Sequence, residues 1–188
     1  MNNRRVIIGY LKFYIIVSPY YYITAAILFV GILFFARRLN WSRRIALSLL
    51  LPYLFLTLVA TVITRSPSSV ARIVLEPFRT YRQYYTDEFT WFEIRANILL
   101  FIPIGFLLPM VIKKPVWLPP IIGIGISVII ELTQFITHRG LCETDDVISN
   151  SIGFLIGFVV YLFIKLTLYL FGFFQKKIDI KKKGRDNP

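Results

Sequence analysis

Residues 131–157 read ELTQFITHRGLCETDDVISNSIGFLIG and join two apolar runs through a short polar break. The chain is 56% hydrophobic and has only 10 acidic residues. Four of them lie in this one stretch, at Glu131, Glu143, Asp145 and Asp146. The apolar runs on either side are about 20 residues long, which is the length of a helix that crosses a bilayer. The stretch therefore predicts a membrane hairpin of two helices with acidic side chains at its turn.

The lengths of the apolar runs and the charged residues between them predict five membrane-spanning helices in all. They cover about residues 13–36, 45–64, 96–112, 116–137 and 147–164. An all-α integral membrane helical bundle is the expected fold, because a helix in lipid satisfies its own backbone hydrogen bonds. A single membrane domain then occupies residues 1–175, and residues 176–188 form a basic tail.

The connection between the second and third predicted spans is polar but rich in aromatic side chains. Residues 75–95 read LEPFRTYRQYYTDEFTWFEIR. Such a mixture of rings and charges suits the lipid headgroup layer. Pro77 interrupts any continuous helix through it. We expect an interfacial or re-entrant segment that lies against the outer face.

The formal net charge of +12 comes from basic residues that flank the apolar runs, which favours membrane orientation over nucleic-acid binding. Successive connections between spans lie on opposite sides of the membrane. The connections after the first and third spans lie on the same side as the C-terminal tail, and together they hold twelve basic residues and two acids. The other side holds nine basic residues and seven acids. By the excess of basic residues on the cytoplasmic side, we expect a multi-pass protein of the cell membrane with its N-terminus outside and its C-terminus in the cytoplasm.

Three predicted spans bring polar groups to one level beneath the outer surface. Glu131 lies about 9 Å below the outer end of the fourth span, and Gln134 shares its face. A charge in hydrocarbon costs several kcal/mol unless it is paired or hydrated. Glu131 and Arg95 are therefore expected to point inward, toward each other or toward water. In the fifth span, Gly153 and Gly157 form a small-xxx-small pattern that lets another helix approach closely.

Four segments together resemble the VanZ-like membrane family. They are LEPFRT at 75–80, RANILLFIPIGFLLP at 95–109, ELTQ at 131–134 and DDVISNSIGFLIG at 145–157. The similarity covers about residues 45–165 and implies a role in the cell envelope and tolerance of teicoplanin-type glycopeptides. The family pattern falls on Pro77, Phe78, Asn97, Pro103, Gly105, Glu131, Gln134, Arg139, Asp146, Asn150 and Gly153. The chain departs from it at Glu143, where an Asp is common, and in a spacing after Arg139 that is one residue longer.

A binding site at the outer leaflet is one interpretation of the polar cluster. Arginines bind phosphate bidentately, and the aromatic connection would hold an acyl or prenyl chain. Membrane lipids, a prenyl-phosphate carrier and a lipoglycopeptide antibiotic all fit this chemistry as partners. The candidate ligand-binding residues are Arg79, Arg82, Arg95, Asn97, Glu131, Gln134, Arg139, Asp146 and Asn150.

Three other interpretations stay open. The cluster could be a structural network that sets helix register, with hydrogen bonds worth about 0.6–2 kcal/mol each. It could belong to an enzyme that acts on a phosphate-bearing lipid, with His138 and nearby acids as metal ligands. The chain has no H-E-x-x-H, G-x-S-x-G or P-loop motif, and we assign it no metal or cofactor. Transport would require a midplane site or an inverted repeat, and neither is evident.

Overall fold

The computed structural model describes residues 19–70, 72–83, 88–112 and 115–183. Within these ranges the chain forms six α-helices and two short strands. The helices are α1 Pro19–Phe35, α2 Trp41–Leu58, α3 Arg79–Gln83, α4 Glu88–Val111, α5 Leu118–Ile136 and α6 Thr144–Lys183, and the strands are β1 Arg72–Val74 and β2 Leu141–Glu143. The predicted all-α class is confirmed. The start of the first predicted span (13–18), Lys113, Lys114 and the end of the tail (184–188) lie outside the described residues.

Five helices in the described part of the chain are long and apolar enough to cross a membrane, as predicted. The candidate spans are Pro19–Arg38, Trp41–Ile63, Trp91–Val111, Leu118–Ile136 and Thr144–Lys177. The second of them ends in a π-helical turn, Val59–Ile63. Many apolar side chains on these helices are exposed, which is the surface that a helix presents to lipid.

Two helix boundaries differ from the sequence prediction. Helix α4 begins at Glu88 and not near residue 96, because the polar residues before the span contain no helix breaker after Pro77. Helix α6 continues to Lys183, well past the predicted end near residue 164. Its 40 residues reach about 60 Å, twice the hydrocarbon thickness. Much of the predicted basic tail is therefore the end of this helix.

Helices α4 and α6 touch backbone to backbone through glycines. A Cβ atom at any of three glycines would collide with a carbonyl oxygen of the other helix. The glycines and the residues whose carbonyls they face are Gly105 with Phe154, Gly153 with Ile98 and Gly157 with Ile102. The close approach predicted from the small-xxx-small pattern is confirmed, with Gly105 of α4 as an additional member.

Helix α5 packs on this pair through Phe154. The ring of Phe154 is fully buried and lies against Gly123 of α5, where a Cβ would collide with it. Phe101 and Ile104 of α4 and Ile130 of α5 complete the centre of the apolar core. The depth of α5 in the bundle is thus set by its contact with α6.

Helix α2 joins the core on the other side of α4. The hydroxyl of Tyr53 donates a hydrogen bond to the carbonyl oxygen of Leu100 at 3.0 Å. Leu50 of α2 and Val62 of the π-helical turn that follows it are buried in the same apolar core. Helix α1 packs mainly on α2 and is largely exposed.

We predict that Gly153→Leu lowers the stability of the folded protein by at least about 1–3 kcal/mol, because the side chain must push α4 and α6 apart. Unfolding of the purified protein in detergent measures this loss. Gly125→Ala is the matched control, since no atom lies within 4 Å of the added Cβ. It should be neutral or stabilising by up to about 1 kcal/mol. Equal stability of the two variants would contradict the glycine contact.

Candidate functional site

The turn between α5 and α6 is tied to the segment that follows α2. His138 ends α5 with a left-handed backbone, at φ 55°. Its carbonyl oxygen accepts a hydrogen bond from the backbone N–H of Ser68 at 2.7 Å. Strand β2, which follows the turn, pairs in parallel with β1, so that Ile73 lies opposite Cys142. The connection after α2 therefore folds back over the α5–α6 turn.

Asp145 holds the start of α3. Its carboxylate is buried, and its two oxygens accept hydrogen bonds from the backbone N–H groups of Phe78 at 2.5 Å and Thr80 at 2.6 Å. Phe78 has a left-handed φ of 62°, which turns the chain into the helix after Pro77. A carboxylate at this position satisfies N–H groups that the helix itself leaves free. Asp145 was expected among the acids at the hairpin turn, both as a residue at a helix N-terminus and as a candidate metal ligand, and its role for α3 was not predicted.

A second contact joins α3 to α6. The hydroxyls of Tyr81 and Ser149 form a hydrogen bond of 2.8 Å, and Ser149 Oγ also donates to the carbonyl oxygen of Asp145 at 2.8 Å. Burial raises the pKa of Tyr81, so its hydroxyl keeps its proton at neutral pH. Helix α3 is thus attached to α6 at its start and at its middle residue, Tyr81.

We predict that Asp145→Ala frees the start of α3 from α6 and lowers the stability of the folded protein by about 1–3 kcal/mol, because two partly buried N–H groups lose their acceptor. Hydrogen exchange over residues 79–83 measures the release of α3 directly. Glu76→Ala is the matched control, since it removes an acid from the same segment at an exposed ion pair. That change should cost at most about 1 kcal/mol. Exchange that is no faster in Asp145→Ala than in Glu76→Ala would refute the anchoring role.

Glu131 lies in the interior, as its predicted depth indicated. Its side chain is only 3% exposed, and Oε2 accepts a hydrogen bond from the backbone N–H of Glu143 at 3.0 Å. The charges of Asp146 and Arg65 also act on it. The expected approach of Arg95 to Glu131 is corrected: Arg95 is exposed and its guanidinium lies 4.7 Å from the centroid of the Trp91 ring. Arg65, at the end of α2, provides the positive charge beside Glu131.

Glu143 completes this acidic group. Burial raises the pKa of its carboxyl, and the charge of Asp145 raises it further, while the charge of Arg79 and a hydrogen bond from Thr80 lower it. Burial and the neighbouring acids also raise the pKa of Cys142. The turn end of the hairpin thus combines buried carboxyl groups with nearby arginines.

Gln134 and Asn150, which lie near these acids in the sequence, form hydrogen bonds between helices. Gln134 Nε2 donates to the carbonyl oxygen of Thr61 at 3.0 Å, and Asn150 Nδ2 donates to Ser127 Oγ at 2.9 Å. The side-chain oxygens of both residues are buried and accept no hydrogen bond from the described part of the chain. Buried acceptors without a partner are uncommon. Both residues therefore act as bridges between helices and leave polar atoms inside the bundle.

Arg139 caps the C-terminal end of the second candidate span, which ends at Ile63. Its Nη1 donates to the carbonyl oxygens of Ile63 at 2.6 Å and Arg65 at 3.0 Å, which lie beyond the last helical hydrogen bonds. Arg139 also lines a cavity of about 520 Å³ at this end of the bundle, together with Arg65 and Arg72. In the sequence, Arg65 and Arg72 were only two of the nine basic residues counted for membrane orientation. Their position directly after the second span was the signal that could have placed Arg65 at the level of the predicted cluster.

The remaining predicted site residues lie elsewhere on the same end of the bundle. Arg82 forms an exposed ion pair with Glu76 at 2.6 Å. Arg79 begins α3, and Asn97 is half-buried on α4. Of the predicted set, the α5–α6 hairpin carries Glu131, Gln134, Arg139, Asp146 and Asn150. Within the ranges that the structure describes, no three His, Cys, Asp or Glu side chains are arranged to hold a metal ion.

Arg95 borders a separate groove between α2 and α4. The groove has a volume of about 530 Å³, and Tyr53, Phe92, Leu99 and Leu100 are among its lining residues. Its walls are mainly apolar, with one guanidinium at the border. Such a groove matches the two parts of an amphiphile, a charged group and a hydrocarbon chain.

Five apolar helices with a polar cluster at one end define a multi-pass α-helical membrane protein. The VanZ/LLP1 family model matches residues 22–170, and the chain belongs to this family. The match extends the predicted family core toward the N-terminus, so that it includes most of α1. Protein VanZ of Enterococcus faecium is 32% identical over 94 residues, which are 50% of this chain and 52% of that protein. The similarity thus spans about half the length of that curated relative. No solved structure matches the chain.

Proposed function

We propose that this protein recognises an envelope lipid or a lipoglycopeptide at the outer leaflet of the bacterial cell membrane and thereby lowers sensitivity to teicoplanin-type antibiotics. Membership of the VanZ/LLP1 family and similarity to Protein VanZ support a role of this kind. The groove beside Arg95 is the observation that carries the proposal, because it combines the charge and the apolar surface that an amphiphile requires.

The position of the groove fits a ligand that enters from the lipid. Arg95 lies about 10 Å along α4 from Glu88, and Leu99 lies one turn deeper. Leu99 is 65% exposed on the lipid-facing surface. An acyl or prenyl chain would therefore lie against Leu99 and Leu100, while its charged group would bind the guanidinium of Arg95. Apolar burial contributes about 0.8 kcal/mol per CH₂ relative to water, so this contact would also suit a lipid-modified antibiotic that arrives from outside.

The proposal places the polar cluster on the outer side and the C-terminus in the cytoplasm. The connection between α1 and α2 carries exposed Arg37 and Arg38, exposed Arg43 lies at the start of α2, and α6 ends in a run of lysines. All of these lie at the opposite end of the bundle from Glu131 and Asp145. This distribution follows the excess of basic residues on the cytoplasmic side.

A labelling experiment on intact cells tests the orientation. In a Cys142→Ser background the chain has no cysteine, so Ser69→Cys and Gln175→Cys each introduce one exposed thiol. We predict that a membrane-impermeant maleimide labels Ser69→Cys in intact cells and labels Gln175→Cys only after permeabilisation. The Cys142→Ser protein alone is the unlabelled control. The reverse pattern would show that the polar cluster faces the cytoplasm.

The recognition itself is tested by filling the groove. We predict that the wild-type protein raises the minimal inhibitory concentration of teicoplanin in a susceptible bacterial host, and that Leu99→Trp removes most of this effect because the indole occupies the space for the chain. Native mass spectrometry of the same proteins should show lipid retained by the wild type and lost from Leu99→Trp.

Ile129→Trp is the matched control for added volume. Ile129 is 62% exposed on α5, close to the 65% of Leu99, and lies outside the groove. This variant should protect the host as the wild type does, at equal abundance in the membrane. If the wild type gives no protection, or if Leu99→Trp and Ile129→Trp behave alike, the proposed function is wrong. Chemical conversion of the retained lipid would instead favour a membrane enzyme.

A further inference from the structure

We propose that the cavity lined by Arg65, Arg72 and Arg139 binds a phosphate group. This inference rests on the proposed function and adds a second site to it, apart from the groove of Arg95. The phosphate would belong to a lipid headgroup or would be free in the surrounding water. Both sources present the same chemistry to the arginines.

The lining of the cavity matches a phosphate in donor type. Its volume is about 520 Å³, and three arginines contribute to its walls. Thr64, Ser66 and Ser68 add polar side chains between them. A guanidinium donates two parallel hydrogen bonds to a phosphate, and hydroxyl groups add further donors. The set thus offers several donors and a strong positive charge to one ligand.

These three arginines lack a close carboxylate partner. Among the described residues, the ion pair with N···O within 4.0 Å is that of Arg82 with Glu76. The charge of Arg65 acts on Glu131, Glu143 and Asp146, but none of these acids comes within that distance of it. Like charges that converge on one cavity repel each other. A bound dianion would replace this repulsion by attraction, which favours an anionic occupant.

Local contacts hold the cavity in shape before any ligand binds. Arg139 is fixed by its two hydrogen bonds to backbone carbonyls, through Nη1 alone. Arg72 lies on β1, opposite Leu141 of β2. Gly140 makes room for Arg65, because a Cβ there would lie 2.8 Å from Arg65 Nη1. Groups that are already ordered lose little conformational freedom on binding, so such a site gains affinity.

The cavity also lies at a suitable height for a headgroup. Thr64 and Arg65 directly follow the second candidate span, which ends at Ile63. Tyr53, which lines the groove of Arg95, lies about 16 Å farther into the bilayer along the same helix. The arginines are thus at the membrane boundary, where lipid phosphates and dissolved phosphate are both accessible.

Binding to the full-length protein in phosphatidylcholine nanodiscs tests the inference. The probes are farnesyl phosphate, farnesol and inorganic phosphate, and the measurement is the dissociation constant by calorimetry. We predict that farnesyl phosphate binds at least about 10-fold more tightly than farnesol, since the phosphate adds charge-assisted hydrogen bonds to the arginines. Inorganic phosphate that binds as tightly as farnesyl phosphate would identify free phosphate as the source. Binding of farnesyl phosphate alone would identify a lipid headgroup.

Arg72→Gln is the decisive variant, because its side chain is exposed and makes no hydrogen bond or ion pair within the described chain. It should weaken the phosphate-bearing probe at least about 10-fold and leave farnesol unchanged. Arg139→Lys is a second variant that keeps the charge but loses bidentate geometry, and it should also weaken that probe. Arg38→Gln is the matched control, since Arg38 is exposed at the opposite end of the bundle. Unfolding temperatures of all variants confirm that they are folded.

The outcome separates this site from the groove. One result is equal binding of farnesyl phosphate and farnesol, with an affinity that Leu99→Trp weakens and Arg72→Gln does not. That result would overturn the phosphate site and leave the groove intact. The opposite result is phosphate binding that depends on Arg72, while Leu99→Trp changes neither lipid retention nor protection from teicoplanin. That result would overturn the proposed function and leave the phosphate site.

Discussion

Contact between the backbones of α4 and α6 is the constraint on which the rest of the bundle depends. Lipid offers no hydrophobic driving force between apolar helices, so close packing must hold them together. Gly105 and Gly153 allow each helix to reach a carbonyl of the other. This contact fixes the relative depth of the two helices. Phe154 then packs against Gly123 and sets the depth of α5 in turn.

The polar end of the protein follows from that depth. Once α5 and α6 are in register, Glu131 lies beneath the backbone of β2, and Asp145 reaches the N–H groups at the start of α3. Each buried carboxylate requires such partners, because an unpaired buried polar group costs about 1–3 kcal/mol or more. The connection after α2 therefore folds over the hairpin, because its backbone N–H groups provide hydrogen bonds to Asp145. Its arginines are brought to the same place, and the cavity beside Arg139 results.

The membrane spans and the depth of the polar cluster along them were predictable, because both follow from the constant rise per residue of a helix. A helix rises 1.5 Å per residue, so apolar length gives the spans, and the count from the span end gives the depth of Glu131. Boundaries in polar segments were less predictable. No proline lies between Pro77 and Trp91 or between Ile164 and Lys183, and α4 and α6 extend into both segments. Hydropathy shows where a helix crosses the membrane, but not where the helix ends.

By itself, the sequence determined that the chain is a five-span helical bundle, that its glycines permit a close helix contact and that buried acids gather at one end. These properties depend on composition and on spacing within single helices. Only the tertiary structure decided which arginine lies beside Glu131, that Asp145 holds α3 and that β1 pairs with β2. The physical reason is that these contacts join residues far apart in the chain, such as Asp145 and Phe78, which are 67 positions apart. Their partners are selected by how the helices pack, and no local pattern encodes that choice.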